Sequence, residues 1–138
     1  MKIPEGVYVA SVPVRVGYID TDRGQIVHHG TYLRYLELSR VEYLRERGVD
    51  YRRFELELGL AMPVVEAHIR YRGAAEFDDL LTVKTWIAQV NRAKLRFDSG
   101  IYRGDELLTT AEITLCCIRS AEQRIVSMPG ELIALGQP

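Results

Sequence analysis

The sequence has few of the features that mark secreted, membrane-spanning or nucleic-acid-binding proteins. It has two cysteines in 138 residues and a formal net charge of −1. No apolar run approaches the roughly 20 residues that span a bilayer. These absences argue against a disulfide-stabilised secreted domain, a membrane span and nucleic acid as the main partner. Residues 1–10 also lack a basic start followed by an apolar stretch, so we predict no signal peptide and a cytoplasmic protein.

The two cysteines are adjacent, at positions 116 and 117. Neighbouring cysteines form a disulfide only with distorted backbone geometry. The absence of a Cys-x-x-Cys spacing also argues against a metal-binding thiol pair. We therefore predict that Cys116 and Cys117 are small apolar residues of a strand in a reducing compartment.

The composition predicts one globular domain that covers residues 1–138. Hydrophobic residues make up 47% of the chain and charged residues 27%, both near the averages of soluble domains. Linkers, low-complexity segments and internal repeats are absent from the sequence. One long helix is predicted from Thr31 to Arg47, because apolar positions, Leu33 among them, recur at three- and four-residue steps. Shorter helices are predicted at Tyr51–Leu58 and Pro129–Leu135.

Five predicted strands surround this long helix. The first, Val7–Tyr18, is rich in β-branched residues, and Pro13 indicates an edge position or a bulge. Four more strands follow the helix at Met62–Tyr71, Leu80–Val90, Leu95–Tyr102 and Leu107–Ile118. A sheet must bury one face, and the long helix is the element available to cover it. The sequence therefore predicts an α+β fold in which an antiparallel sheet wraps around one central helix.

The densest polar cluster lies between the first strand and the helix, in residues 18–32. It contains two carboxylates, Asp20 and Asp22, and two imidazoles, His28 and His29. The cluster ends at a predicted helix N-terminus, where free N–H groups favour negative charge. A carbonyl placed there would be polarised as in an oxyanion hole, and a nearby carboxylate would attack it or activate a water. The alternative is that both aspartates only satisfy backbone amides of the loop.

The order of these residues resembles the hotdog-fold acyl-CoA thioesterases of the 4-hydroxybenzoyl-CoA thioesterase family, especially the bacterial branch that includes the Tol-Pal-associated thioesterase. In that family a Tyr-x-Asp-Thr-Asp run leads into a glycine-containing loop, a valine and a His or Asn before the central helix. The matching positions here are Tyr18, Asp20, Thr21, Asp22, Gly24, Val27 and His29. A second stretch, Tyr71–Leu80, is similar to the family's Tyr-x-x-Pro-Ala-x-x-Asp-Asp segment, with Ala74 in place of the proline. The element order matches as well, over roughly residues 7 to 130.

The resemblance implies roles for three residues. Asp22 takes the place of the carboxylate that acts as nucleophile or general base on the thioester. The backbone N–H of His29 matches the donor that polarises the thioester carbonyl. The side chains of His29 and Tyr18 occupy positions implicated in catalysis, where His29 would orient the carboxylate or water and Tyr18 would hydrogen-bond near the reacting centre. Gln25 stands where the family usually has a glycine, so we expect the loop to follow another path here.

Other polar residues offer alternatives. Glu37 on the helix is the rival to Asp22, since a second hotdog thioesterase lineage uses a helical carboxylate. His28 is interpreted as a core or pocket-wall residue and His68 as a structural strand residue. A metal site is not predicted, because adjacent histidines on an extended segment point apart.

Two sets of residues are candidates for substrate contacts. Arg92 and Lys94, in the turn at residues 91–94, are predicted to bind CoA phosphates, since arginine suits bidentate phosphate recognition. Four aromatic residues are candidates to line the acyl pocket: Tyr32, Tyr35, Phe77 and Trp86.

The resemblance implies an acyl-CoA thioesterase that hydrolyses an acyl-CoA to a free acid and CoA, without metal or cofactor. It also implies a homodimer or homotetramer, with sheets paired edge to edge and active sites between subunits. An exposed sheet edge needs covering on physical grounds too. The alternatives are a non-catalytic acyl-CoA-binding or ligand-sensing hotdog module and a hydratase or dehydratase on the same fold, although the usual motif of such enzymes is absent.

Overall fold

The computed structural model describes residues 2–136 and contains two antiparallel sheets and three helices. The strands are β1 (Ala10–Arg15), β2 (Leu60–Ala61), β3 (Val64–Tyr71), β4 (Leu80–Val90), β5 (Leu95–Arg103), β6 (Glu106–Leu115), β7 (Cys117–Arg119) and β8 (Arg124–Val126). The helices are α1 (Thr31–Glu46), α2 (Tyr51–Leu56) and α3 (Gly130–Leu135). The main sheet has the order β1-β4-β5-β6-β3, and the small sheet has the order β2-β7-β8. The α+β arrangement predicted from the sequence is confirmed.

Helix α1 packs against the main sheet through one face. It contacts β1 and β4, and its buried residues are Tyr32, Tyr35, Leu36, Ser39, Tyr43 and Leu44. Leu33, which the periodicity assigned to the apolar face, is 46% exposed. The stripe that meets the sheet begins at Tyr32 instead, so Leu33 projects to the other side. The helix thus buries one face within the chain and leaves apolar surface on the other.

A chain of buried hydroxyl groups joins this helix to the sheet. The Ser39 and Thr85 hydroxyls are 2.6 Å apart, and Thr85 lies 2.7 Å from the Ser99 hydroxyl. All three residues are buried, so each hydroxyl needs a partner that water cannot supply. These hydrogen bonds run from α1 through β4 to β5, and the three hydroxyl groups thus serve as one another's partners.

The first strand is shorter than predicted. It ends at Arg15, and Tyr18 lies in a 3-10 turn rather than in the strand. The ladder stops because the Gly17 N–H donates to the Asp20 carboxylate, 2.9 Å away, which turns the chain out of the sheet. The edge position indicated by Pro13 is confirmed, since β1 pairs with β4 alone.

The last long strand is also shorter than predicted. Cys116 separates β6 from β7, and its N–H donates to the carbonyl of Pro63 at 3.2 Å. Both cysteines are free and buried, so the prediction of no disulfide is confirmed. Burial raises the pKa of the Cys117 thiol, which keeps it in the unreactive protonated form.

Hydropathy provides a separate check on the predicted absence of a membrane span. Between residues 2 and 136, no helix is both long and apolar enough to cross a bilayer.

Candidate active site

The loop between β1 and α1 folds back on itself as a narrow antiparallel ribbon. Thr21 pairs with Val27 across it, and the Asp22 N–H donates to the Ile26 carbonyl at 3.0 Å. The Gln25 N–H closes the turn onto the Asp22 carbonyl, also at 3.0 Å. These bonds place Asp22 at the start of a tight exposed turn, with its backbone fixed from both sides.

The Asp22 carboxylate is half anchored and half available. Its Oδ1 accepts a hydrogen bond from the Gly24 N–H at 2.9 Å, a local turn contact that suits an aspartate at this position. Oδ2 has no hydrogen-bond partner among residues 2–136, and the side chain is exposed. One oxygen therefore orients the carboxylate, and the other is available to a substrate or a water.

Gln25 corrects an expectation about this turn. It adopts φ of +65°, the left-handed conformation for which glycine is the usual residue. The loop therefore does not follow another path in order to avoid that conformation. Gln25 itself adopts it, and its carbonyl also accepts the Phe77 N–H at 3.4 Å.

Asp20 differs from Asp22 in being almost completely buried. Its carboxylate accepts hydrogen bonds from the Gly17 N–H at 2.9 Å, the Tyr35 hydroxyl at 2.9 Å and the Arg34 guanidinium at 3.0 Å. Burial alone would raise the pKa of Asp20, but these donors together hold the pKa below its ordinary value. The alternative, in which the aspartates satisfy backbone amides of the loop, holds in part for both residues, since Asp20 accepts the Gly17 N–H and Asp22 accepts the Gly24 N–H.

Helix α1 follows the N-cap residue Gly30, which has no side chain to cap the helix. The Gly30 N–H donates to His28 Nδ1 at 3.1 Å, and the Thr31 N–H donates to the His28 carbonyl at 2.9 Å. His28 is exposed, so the prediction of a core position is wrong; its ring and its carbonyl accept hydrogen bonds from Gly30 and Thr31. The N–H of His29, the residue between His28 and Gly30, has no hydrogen-bond partner in the described part of the chain.

The two histidine rings also differ from expectation. Their centroids lie 4.3 Å apart with planes tilted by 30°, so the rings of His28 and His29 face each other instead of pointing apart. No group of three potential ligands close enough to hold a metal ion occurs in the chain from residue 2 to 136.

The second motif, Tyr71–Leu80, is hydrogen-bonded to the loop and to the first residues of α1. The Tyr71 hydroxyl donates to the His29 carbonyl at 2.9 Å. Ala75 bonds in both directions: its carbonyl accepts the Val27 N–H at 2.8 Å, and its N–H donates to the Tyr32 hydroxyl at 3.1 Å. Two segments some 50 residues apart in sequence therefore form one structural unit.

A cavity of about 300 Å³ brings two of the three predicted catalytic residues together. Tyr18 and Asp22 both line it, with Phe77 of the second motif opposite. Its other lining residues are Thr21, Arg23 and Gln25. His29 does not line this cavity; it lies at the helix start on the other arm of the ribbon.

The remaining candidates lie elsewhere. Glu37 is exposed two turns into α1 and lines a different cavity, beside Arg40. Arg92 and Lys94 follow the end of β4, whereas the second motif leads into its start. An 11-residue strand is roughly 33 Å long at about 3.3 Å per residue. These two cations are therefore remote from Asp22 in the same chain.

The aromatic candidates divide in the same way. Tyr32, Tyr35 and Trp86 are buried, and Phe77 alone of the four lines the Asp22 cavity. His68, interpreted as a structural strand residue, is exposed and pairs with Glu66 at 3.0 Å. Sequence reasoning missed the anchoring roles of Arg34, Tyr35 and Ala75. Their hydrogen-bond partners are either far away in the sequence or backbone atoms, which leave no signal in the sequence.

Known proteins with similar sequences and structures agree with one another. The thioesterase-like superfamily model matches residues 14–135. The acyl-CoA thioesterase YbgC of Haemophilus influenzae is 36% identical over 124 residues, which are 90% of this chain and 91% of that protein. The acyl-CoA thioester hydrolase YbgC of Escherichia coli O6:H1 is 30% identical over 123 residues, 88% of this chain and 91% of that protein. The crystal structure of a probable thioesterase from Bartonella henselae has a TM-score of 0.84 and 28% identity, and covers 88% of this chain and 100% of that chain.

The left-handed backbone at Gln25 generates a stability prediction. Gln25→Gly removes side-chain strain of about 1 kcal/mol and adds a comparable chain-entropy cost, so we expect a stability change within about 1 kcal/mol of wild type. Gln25→Val places a β-branched residue in this conformation and is expected to destabilise by more than about 1 kcal/mol. Urea denaturation measures both. A destabilising glycine together with a tolerated valine would contradict the loop geometry.

The anchoring of Asp20 predicts a pH-dependent contribution to stability. Because its folded pKa is lowered, the carboxylate contributes fully to stability above the unfolded pKa of about 3.9, and this contribution is lost as the pH falls below that value and through the lower folded pKa. We expect Asp20→Asn to cost about 1–3 kcal/mol at pH 7, with a smaller difference from wild type near pH 3.5. Denaturation at both pH values tests this, with Asp105→Asn in the exposed β5–β6 turn as the control. A cost that does not depend on pH would contradict the assignment.

Proposed function

Because this chain belongs to the thioesterase-like superfamily, we propose that it is an acyl-CoA thioesterase, which hydrolyses an acyl-CoA thioester to a free acid and CoA. The hotdog fold expected from the sequence is confirmed by its relatives. The 36% and 30% identity to acyl-CoA thioesterases over most of the chain supports the activity. The motif from Tyr18 to His29 supports a place in the bacterial branch that includes the Tol-Pal-associated thioesterase. We also propose that the protein acts in the cytoplasm, without metal or cofactor.

The N–H of His29 at the start of α1, which has no hydrogen-bond partner among residues 2–136, is the observation that carries this proposal. The neighbouring N–H groups of Gly30 and Thr31 are both bonded to His28, so the His29 N–H is available to an external oxygen. The peptide that carries this N–H is held through its own carbonyl, that of His28, which accepts the Thr31 N–H. The Tyr71 hydroxyl holds the following carbonyl, that of His29. We assign this N–H, at the positive end of the helix dipole, to the thioester carbonyl oxygen.

Asp22 then supplies the reacting carboxylate by one of two routes. In the first, Oδ2 attacks the thioester carbon, the C–S bond breaks with departure of CoA thiolate, and water hydrolyses the acyl–aspartyl anhydride. In the second, the carboxylate removes a proton from a water that attacks the carbon directly, and the C–S bond then breaks with departure of CoA thiolate. The anchored Oδ1 and the available Oδ2 are compatible with both routes.

His29 and Tyr18 assist this step in the proposal. The exposed His29 imidazole orients the carboxylate or the attacking water from the helix start. The Tyr18 hydroxyl lies at the same cavity as Asp22 and donates a hydrogen bond near the reacting centre.

We also propose that the enzyme is a homodimer or a homotetramer built from dimers. Strand β3 forms the edge of the main sheet opposite β1, and its residues are exposed or only partly buried throughout, including Val64 and Val65. An edge strand with exposed β-branched residues is a template for pairing with another strand. Edge-to-edge pairing of two copies would cover it and bring the active sites close to the interface.

An assembly would also give Arg92 and Lys94 a role. They are far from Asp22 within one chain, so we propose that they bind CoA phosphates at the site of a neighbouring subunit. Guanidinium and ammonium groups both suit phosphate, and the guanidinium binds it in a bidentate manner.

Replacement of the proposed catalytic carboxylate tests the activity. Asp22→Asn retains an oxygen that can accept the Gly24 N–H, so we expect an intact fold and a fall in turnover of roughly 10²–10⁴-fold. The measurement is thiol release from short, long and aromatic acyl-CoAs, with Asp105→Asn as the matched control. Near-normal turnover in a folded variant would exclude this role and direct attention to Glu37. A wild type that binds acyl-CoA without thiol release would favour the non-catalytic module.

The edge strand generates a prediction about assembly. We expect light scattering after size exclusion to give a dimer or a tetramer for wild type. Val65→Lys introduces a charge into the pairing edge and should shift the protein toward monomer. Ile125→Lys, on the exposed surface of β8, is the matched control and should leave the mass unchanged. A monomeric wild type would exclude edge pairing.

A further inference from the structure

The Tyr18 side chain, which lines the active-site cavity, contacts the ring of Phe77. Its backbone carbonyl accepts hydrogen bonds from the Thr21 hydroxyl and N–H, at 2.8 and 3.2 Å. The side chain is 79% exposed, and its hydroxyl has no hydrogen-bond partner in the chain between residues 2 and 136. The ring meets Phe77 edge to face, with centroids 5.3 Å apart and planes at 72°. The backbone is thus fixed, whereas the direction of the side chain depends on Phe77.

Phe77 is itself fixed by the backbone on either side of it. Its N–H donates to the Gln25 carbonyl at 3.4 Å, and the next N–H, of Asp78, donates to the Val16 carbonyl at 3.0 Å. Asp79 then accepts the Glu76 N–H at 2.8 Å and closes the turn that carries Phe77. The segment that carries the Phe77 ring is therefore hydrogen-bonded to Val16, just before the site loop, and to Gln25, at the turn of that loop.

Arg103 reinforces this segment from the far hairpin. Its guanidinium donates to the Asp79 carboxylate at 2.8 Å, to the Ala74 carbonyl at 3.1 Å and to Glu106 at 2.8 Å. These contacts cross from β5 to both ends of the turn. The surface that supports Tyr18 is consequently rigid at its base.

We infer that Phe77 is a positioning residue that holds the Tyr18 hydroxyl toward Asp22. Through Phe77, the second motif would therefore take part in the reaction. The inference rests on the proposed function, because it gives the Tyr18 hydroxyl a reacting centre to serve. An exposed tyrosine otherwise exchanges among staggered rotamers, and an edge-to-face aromatic contact favours one of them. Phe77 acts through Tyr18 and need not touch the substrate.

The kinetic test compares two substitutions at Phe77. Phe77→Leu removes the ring and is expected to lower kcat by about tenfold, with KM changed by less than about twofold, while Phe77→Tyr keeps the ring and should retain wild-type kcat. Leu56→Ala, an exposed apolar residue on α2, is the matched control. Unchanged melting temperatures establish that the loss is not unfolding. An unchanged kcat in Phe77→Leu would overturn the inference.

A double-mutant cycle separates positioning from direct contact with the acyl group. In a Tyr18→Phe background the hydroxyl is absent, so Phe77→Leu should cause no further loss of kcat. A loss of the same size in both backgrounds would overturn the inference, because Phe77 would then act without Tyr18.

A measurement that does not depend on turnover keeps this inference distinct from the proposed function. In wild type we expect nuclear Overhauser contacts between the Tyr18 and Phe77 rings, identified by their loss in Tyr18→Ala, and we expect Phe77→Leu to shift the Tyr18 ring resonances. A wild type that hydrolyses no acyl-CoA but shows these contacts would overturn the proposed function and leave Phe77 as the residue that orients Tyr18. Absent contacts, or unmoved resonances in Phe77→Leu, would overturn the inference.

Discussion

The hydrogen bonding of Asp20 is the constraint on which the site depends. Its carboxylate joins Gly17, where the chain leaves the sheet, to Arg34 and Tyr35 on the long helix. Its backbone carbonyl accepts the N–H of His28, and the His28 carbonyl in turn accepts the Thr31 N–H at the helix start. One buried residue thus links the sheet, the returning arm of the loop and the helix start. The buried carboxylate is tolerable only because it is fully paired, and the same pairing sets the position of the neighbouring Asp22.

Two carboxylates of one chemical type therefore have different environments two residues apart. Asp20 is buried among donors that hold its pKa low, so it is a fixed acceptor. Asp22 is exposed, with one oxygen anchored by the loop. Burial and the number of donors, and not residue type, separate the fully paired carboxylate of Asp20 from the exposed carboxylate of Asp22. The second motif completes this division, since Ala75 and Tyr71 bond the loop and the helix start without contributing a reacting group.

Strong periodicity explains which parts of the fold were predictable. Helix α1 and strands β3 to β6 lie close to their predicted bounds, because long amphipathic or alternating segments report their own burial. The two-residue β2 and three-residue β8 carry too little pattern to be found, and β1 ends early because Gly17 bonds to a side chain. The motif order likewise pointed to Asp22, although its catalytic role and those of Tyr18 and His29 stay predictions.

The sequence by itself determined the element types, the α+β class, the family resemblance and the residues that could carry the chemistry. Tertiary structure decided their arrangement: Phe77 contacts Tyr18, the His29 N–H has no partner in the part of the chain that the structure describes, and Arg92 lies at the far end of β4 from Asp22. Gln25 in a left-handed conformation belongs to this second group. The physical reason is range. Propensity and periodicity act over a few residues, whereas these features depend on hydrogen bonds and contacts between segments far apart in the chain.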